Sequence, residues 1–236
     1  MALLSGLSVD YLVRLEQGRA KNPSPQVLAS LARALRLTRQ ERDALYRTAG
    51  IAPPSDDVVP SHLSPGLQRI LDHLHDTPVG VFTAAWDLVV GNRMWTALFG
   101  EPESGRAANL VWRAFVLEDL PLVHTDAEAD DFRREMVSDL HAASTRYPHD
   151  SGLTSLVEAL RRSSPAFEKL WNTWEIARRH GDRKTIVSPV VGPVTFDCDV
   201  LAVADSSVRL VVYTARAGSE DAQKLDLLRV VGQQVQ

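Results

Sequence analysis

Apolar residues recur at helical spacing near the start of the chain. Leu12 and Leu15 lie three residues apart on one face of a predicted helix, which Ser8 can cap with its hydroxyl oxygen. Gly18 can end that helix, because glycine enters the left-handed conformation without steric cost. The side chains that face outwards are Val9, Asp10, Val13, Arg14 and Gln17. The pattern predicts an amphipathic helix whose outer surface carries charge.

Two more helices are predicted after this one. Ser24 can cap a helix whose first residue is Pro25, since proline is well suited to the first helical position. Thr38, with Glu41 three residues later, has the spacing of a capping box. Together the three helices predict an all-α N-terminal domain.

A linker and a second domain follow the helices. Residues 53–61 contain three prolines and show no apolar periodicity, which is typical of a linker. We therefore predict that residues 1–52 form the helical domain and that residues 62–236 form a second domain.

The second domain combines strands with helices. Alternating or continuous apolar runs predict five strands, at residues 79–83, 86–90, 184–187, 194–203 and 209–215. Helical periodicity fills most of residues 109–180, between the second and third strands. This order predicts an α+β fold, in which a five-stranded antiparallel sheet carries a large helical insertion.

Charge is distributed unevenly along the chain. The net charge is −4, yet residues 1–54 hold eight basic and four acidic side chains. A basic first domain favours contact with a polyanion such as nucleic acid. The longest apolar runs are too short to cross a bilayer, and a single cysteine, Cys198, excludes an internal disulfide. We therefore expect a cytoplasmic protein without membrane contact.

The first predicted helix resembles the recognition helix of the XRE family of helix-turn-helix proteins. The resemblance rests on residues 8–18, with the sequence SVDYLVRLEQG. It implies that Val9, Asp10 and Arg14 read base edges in the DNA major groove. It also implies contacts with the DNA backbone from Ser8, Tyr11, Arg19, Lys21 and Asn22. An ordinary amphipathic helix with a solvated, charged face is the alternative interpretation.

Members of that family have a full helix before the two-helix motif, and residues 1–4 supply only the tail of the motif's first helix. The missing helix would pack on Leu12 and Leu15. We therefore expect residues 1–20 to be mobile in the isolated chain, or to be covered by a second copy.

Taken as a whole, the chain resembles the MmyB-like transcription regulators, which join an XRE helix-turn-helix to a PAS-like ligand-binding domain. The landmarks include Trp86, Asp87, Asn92, Asn109, Phe115 and residues 67–71, 164–167 and 210–215. The resemblance implies a homodimeric, ligand-responsive bacterial regulator that binds a double-stranded DNA operator. It also implies that the second domain holds a fatty-acid-like molecule.

We expect that molecule to lie in an apolar cavity between the sheet and the inserted helices. The predicted lining residues are Trp112, Phe115, Leu140, Trp171, Trp174 and Tyr213. His141 can hold a carboxylate head group when it is protonated. It stands where the family usually has arginine, while Trp174 and Ser188 each replace a histidine. Alternatively, most of these aromatic residues only fill the core.

Catalytic and metal-binding motifs are not found. The chain has no GxSxG elbow, no glycine-rich phosphate loop and no paired cysteines. His73 and His75 are two residues apart, so on a helix they face different ways. We expect no enzyme activity and no cofactor besides the apolar ligand. The alternative function is a small-molecule-binding or protein-interaction module that no longer binds DNA, and an enzyme that uses the apolar pocket is a more distant one.

Overall fold

A computed structural model describes most of the chain. The described residues are 7–20, 22–54, 58–59, 63–173, 182–203 and 206–234. The chain divides into two compact units, Met1–Ser55 and Asp56–Gln236, each with its own buried residues. No helix in the described ranges is both long and apolar enough to cross a bilayer.

Three helices lie in the described part of the first unit, namely α1 (Val9–Glu16), α2 (Pro25–Ala34) and α3 (Arg39–Thr48). Leu28 and Ala32 of α2 and Tyr46 of α3 are buried. The Tyr46 hydroxyl donates a hydrogen bond to the carbonyl oxygen of Pro25 at 2.9 Å. The apolar faces of α2 and α3 therefore supply the core of this unit.

The predicted helix ends in the first unit are confirmed. Ser8 and Ser24 each accept a hydrogen bond from an amide in the first turn of the helix that follows. Thr38 and Glu41 form the capping box in both directions. Gly18 follows α1 with a φ of +68°, which is the left-handed conformation expected there.

The second unit is built on one antiparallel sheet. Its strands are β1 (Val79–Phe82), β2 (Leu88–Gly91), β3 (Leu122–Val123), β4 (Asp182–Ser188), β5 (Gly192–Ala202) and β6 (Arg209–Thr214). Their order is β2-β1-β6-β5-β4-β3, and all neighbours are antiparallel. The α+β class is confirmed, but within the described residues the sheet has six strands rather than the predicted five. The additional strand, β3, has two residues, which are too few to show an alternating pattern.

Helices lie before, between and after these strands: α4 (Pro65–His73), α5 (Arg93–Phe99), α6 (Leu110–Trp112), α7 (Asp126–Arg146), α8 (Ser151–Ser163), α9 (Pro165–Asn172) and α10 (Glu220–Gln234). A 3-10 turn, Gly105–Ala108, precedes α6, and a π-helical turn, Arg113–Leu117, follows it. The large helical insertion predicted between the second and third long strands is thus confirmed.

Strand β1 is buried on both faces of the sheet. Val79 and Val81 pack in one apolar cluster with Leu67 and Leu71 of α4. Phe82 belongs instead to a larger cluster, which contains the helices of the insertion. Alternate side chains of a strand point to opposite faces, so α4 and the insertion cover opposite faces of the sheet.

Strand β5 shows the alternation that the sequence predicts. Val194, Phe196 and Cys198 are buried, whereas Asp197 and Asp199 between and after them are exposed. The buried side chains belong to the same large cluster as the helical insertion. The face of the sheet that meets the insertion is therefore the apolar one.

Asn92 joins β1 to the start of α5, which it caps. Its Oδ1 accepts hydrogen bonds from the amides of Val79 at 3.0 Å and Trp95 at 2.9 Å. Its Nδ2 donates to the carbonyl oxygens of Leu74 and Thr77, both at 2.7 Å. One side-chain amide thus uses its full capacity of two donors and two accepting lone pairs, which holds α5 against the sheet.

Candidate functional site

The outer surface of α1 is exposed in the first unit. The exposed side chains are Val9, Asp10, Val13, Arg14 and Gln17, and Val9 retains 68% of its accessible area. Leu12 and Leu15 on the opposite face are half-buried, and α1 has no fully buried residue. The predicted division into an outward face and an apolar face is therefore confirmed.

The loop after α1 extends the same surface. The amide of Arg19 donates to the carbonyl oxygen of Arg14 at 2.8 Å, which turns the chain back against the end of the helix. Arg19, Asn22 and Ser8 are exposed, and Tyr11 is half-buried. Lys21, which also belongs to the predicted DNA-binding set, lies outside the described residues. The described polar residues of this set therefore occupy α1 and the segments at its two ends.

The second unit contains a cavity of about 250 Å³ between the sheet and the helical insertion. Its wall residues include Phe82, Trp86, Trp95, Phe99, Phe132, Met136, Cys198, Val211 and Tyr213. Most small-molecule sites are concave, mainly apolar and roughly 300–1,000 Å³ in volume. At about 250 Å³ the cavity lies just below this range, so it suits a small apolar molecule.

Trp95 forms one wall of the cavity by lying flat across two strands. A Cβ atom on Gly80 would lie 2.7 Å from Trp95 Cζ3, and one on Gly91 would lie 2.6 Å from Trp95 Cγ. The two glycines are partners across β1 and β2. The ring of Trp95 lies 4.2 Å from that of Phe99 and 5.6 Å from that of Tyr213. A pair of glycines thus makes room for an aromatic wall.

Trp86 supplies another wall from the turn between β1 and β2. Its φ is +67°, a conformation that bulky residues rarely adopt. The indole Nε1 donates to Asp139 Oδ2 at 3.1 Å, and the Arg209 guanidinium lies 4.8 Å from the ring centre. Burial lowers the pKa of Arg209 to about 10, so it remains a cation at neutral pH. These contacts hold Trp86 in an uncommon backbone conformation beside the cavity.

Few charged groups lie on the cavity wall away from its exposed edge. Arg113 donates to Asp119 Oδ1 at 2.9 Å, so this cation is already paired. The ammonium nitrogen of Lys184 lies 4.4 Å from the ring centre of Phe132. Glu135 is 9% exposed. A small number of charged side chains are therefore placed to contact the polar end of a molecule in the cavity.

The predicted ligand-binding residues occupy different places. Tyr213 lines the cavity, and burial raises the pKa of its phenol, which therefore stays neutral. Phe115 and Leu140 belong to the surrounding core and do not line the cavity. Trp112 is half-buried, with the guanidinium of Arg106 5.1 Å from its ring centre. Of these four residues, the structure brings only Tyr213 to the cavity.

His141 and Trp171 lie against each other. Their rings are stacked with centres 3.7 Å apart and planes 15° apart, and His141 Nε2 lies 3.1 Å from the carbonyl oxygen of Trp171. Desolvation lowers the pKa of His141, and its contact with the Trp171 carbonyl offsets this in part. Neither residue lines the cavity, and Trp174 lies outside the described residues. Contact of this set with a ligand stays a prediction.

Several cavity residues are absent from the predicted ligand-binding set: Phe82, Trp86, Trp95, Phe132, Met136 and Lys184. The sequence of β4 gives no clear signal for Lys184, because its apolar residues, Ile186 and Val187, are adjacent and do not alternate with polar ones. Within the described ranges, no group of three or more His, Cys, Asp or Glu side chains is placed to hold a metal ion.

Comparison with known families matches both units of the chain. Residues 63–228 match the MmyB-like transcription regulator ligand binding domain, and this range contains every residue that lines the cavity. Residues 1–45 match a helix-turn-helix domain, which contains α1 and its exposed arginine. A search of curated proteins found no match. The two domains are those of a DNA-binding transcription regulator that responds to a ligand, and the chain belongs to the MmyB-like transcription regulators.

Proposed function

We propose that this regulator binds a double-stranded DNA operator as a homodimer, and that a fatty-acid-like molecule in the cavity of the second unit controls this binding. The observation that carries the proposal is the aromatic and apolar cavity of about 250 Å³ within the ligand-binding domain. A chain of methylenes gains roughly 0.8 kcal/mol for each methylene that it buries. Because the cavity is small, a chain of medium length is the best fit.

The exposed face of α1 supports the DNA-binding half of the proposal. Arg14 and Asp10 project from a helix whose other face is half-buried. A helix of this kind fits the major groove, where arginine can donate two hydrogen bonds to the edge of a guanine. Helix-turn-helix proteins commonly bind as dimers to two half-sites about one helical turn apart. This general binding mode supports our proposal of a homodimer on a palindromic operator.

Ligand affinity should rise with chain length and then stop rising. In a series of straight-chain acids from hexanoic to octadecanoic acid, each methylene should add roughly 0.8 kcal/mol until the cavity is full. Longer chains should gain nothing or bind more weakly, since their ends remain in water. Isothermal titration calorimetry measures this series directly. Affinity that is independent of chain length would contradict an apolar site.

Two substitutions on β6 provide matched variants for that series. Val211 lines the cavity, and Val211→Phe should reduce the affinity of every chain that fills it. Val212 is its neighbour but packs with the cluster on the opposite face of the sheet, beside α4. Val212→Phe adds the same volume there and should leave affinity unchanged. Equal losses in both variants would indicate a general effect on folding instead of a filled cavity.

Arg14→Ala should weaken binding to the specific operator by about 1–3 kcal/mol and relax the base preference at one position. Arg19→Ala should weaken binding to operator and random DNA alike and reduce the salt dependence, because a phosphate contact reads no sequence. Fluorescence anisotropy with an operator selected from random DNA compares the two variants. Equal losses on operator and random DNA for Arg14→Ala would contradict its role in base recognition.

A protein-interaction module that no longer binds DNA is the second candidate function. It is favoured by the partial exposure of Leu12 and Leu15 on the inner face of α1, which leaves apolar surface for a partner. The DNA measurements separate the two functions. If the selection yields no operator and the second unit still binds its ligand, the interaction module is the better description.

A further inference from the structure

We propose that Lys184 binds the head group of the molecule in the cavity, and that this head group is an anion such as a carboxylate. The proposal rests on the proposed function, because it assigns the polar end of the same ligand. Lys184 lies on β4 and lines the cavity together with Phe132.

Lys184 lies on the face of β4 that meets the apolar core. On β4 it is directly opposite Phe196 of β5, and Ile186 is directly opposite Val194. Phe196, Ile186 and Val194 are all fully buried. Directly opposed residues of neighbouring strands share a face, so Lys184 lies on the core-facing side of β4, where it is half-buried. A cation on the core-facing side of a strand is uncommon, and such exceptions are expected at functional sites.

The ammonium group of Lys184 has no carboxylate partner within the described ranges. Instead, the ammonium nitrogen lies over the face of the Phe132 ring, 4.4 Å from the ring centre. Arg113, the other cation among the described residues of the cavity wall, already donates to Asp119 at 2.9 Å. A half-buried cation without a counter-ion gains more from an incoming anion than a paired or solvated one does. Lys184 is therefore the better anchor of the two.

The acidic residues of the cavity wall do not neutralise the charge of Lys184. Glu101, Glu103 and Asp199 are exposed, so water and salt screen their charges. Glu135 is buried but already takes part in interactions of its own. These four carboxylates would attract a cationic head group instead, and that possibility is an outcome of the experiment below.

The polar end of the ligand is thereby assigned to Lys184 in place of His141. The His141 ring is stacked on Trp171, and its Nε2 is occupied by the Trp171 carbonyl oxygen. The Lys184 ammonium lies instead on the wall formed by β4 and α7. An anionic head group beside Phe132 would leave the chain to run past Trp95 and Tyr213.

Three ligands of equal chain length test the proposal: decanoic acid, decanol and decylamine. The full chain and its variants Lys184→Gln, Lys184→Arg and Lys169→Gln are titrated by calorimetry. Lys169 is exposed on α9 and lies outside the cavity. Its variant therefore removes the same charge at a position that does not contact the cavity. Thermal unfolding of each variant measures whether the fold is retained.

The wild-type chain should bind decanoic acid more tightly than decanol or decylamine. Lys184→Gln should reduce the affinity for the acid roughly ten- to a hundredfold and leave the affinity for decanol unchanged. Lys184→Arg should keep most of the acid affinity, and Lys169→Gln should keep all of it. An unchanged acid affinity in Lys184→Gln, or tightest binding of the amine, overturns the assignment while the apolar site stands. If none of the three compounds binds, the proposed function itself is overturned.

Discussion

Asn109→Ala is expected to lower the free energy of unfolding of the second unit by about 3–5 kcal/mol, because it leaves several buried polar groups without partners. Asn109 is completely buried. Its Nδ2 donates to the Ala85 carbonyl oxygen and to Asp87 Oδ1, both at 2.8 Å. Its Oδ1 accepts from the amides of Val111 and Trp112, both at 3.0 Å.

Asn109→Ala should also weaken ligand binding. Asn109 ties the turn between β1 and β2 to the start of α6, and both segments supply cavity walls, including Trp86 and Leu110. We therefore expect weaker ligand binding together with the lower stability. Urea unfolding followed by circular dichroism gives the stability, and calorimetry gives the ligand affinity.

Two further variants serve as a comparison and a control for Asn109→Ala. Asn109→Asp keeps the accepting oxygen but places a second carboxylate beside Asp87, so its destabilisation should grow as pH rises and the new group ionises. Asn172→Ala removes an exposed asparagine that bonds Glu168 on the surface, and should change the stability by less than about 0.5 kcal/mol. A similarly small change for Asn109→Ala would show that the four hydrogen bonds contribute little.

Gly91→Ala is expected to lower the free energy of unfolding by about 1–3 kcal/mol, as overpacking of a close-packed interior does. The new methyl group would overlap the side chain of Trp95, whose Cγ atom lies 2.6 Å from the position of the added carbon. Trp95 must then move off the strands and towards the cavity. Ligand affinity should fall with the stability, because the aromatic wall enters the space of the ligand.

A second substitution, at Trp95, should reduce the destabilisation that Gly91→Ala causes. Trp95→Leu removes the ring that collides with the new methyl group, so Gly91→Ala should cost less in a Trp95→Leu background than in the wild type. Gly66→Ala is the control, since its added carbon would meet nothing closer than 3.8 Å, at Arg69. The coupling is measured as a double-mutant cycle of unfolding free energies. Additive changes in the free energy of unfolding would mean that the methyl group at position 91 does not clash with Trp95.

The helix starts could be predicted because their causes are local. Ser8, Ser24, Thr38 and Asn92 each accept a hydrogen bond from an amide three residues later in the chain. A capping residue and its partner are therefore both visible within a few letters of sequence. No distant part of the protein needs to be known for these elements to be placed.

The long strands could be predicted for a similar reason. The alternation of Val194, Phe196 and Cys198 marks which face of β5 meets the core, and it spans only five residues. The short strand β3 lacks such a pattern, and it pairs with β4 through contacts such as Leu122 with Ile186. It is a strand because of that distant partner, so the sequence around it carries no sign of it.

The cavity is the part that only the tertiary structure decided. Tyr213 lines it, while Phe115 and Leu140 fill the core beside it, although all three are large, buried and apolar. Core and cavity wall use the same side chains, and the difference lies in where packing leaves a gap. No periodicity along the chain records the position of such a gap.

The sequence by itself determined the helix-turn-helix segment, the positions of the long strands along the chain and the family of the second domain, because these depend on neighbours within a few positions or on motifs. The tertiary structure alone decided that Gly80 and Gly91 make room for Trp95, that Asn109 joins the turn at Ala85 to α6, and that Lys184 faces the cavity. These features are contacts between residues distant in sequence, and they exist only once the sheet has brought those residues together.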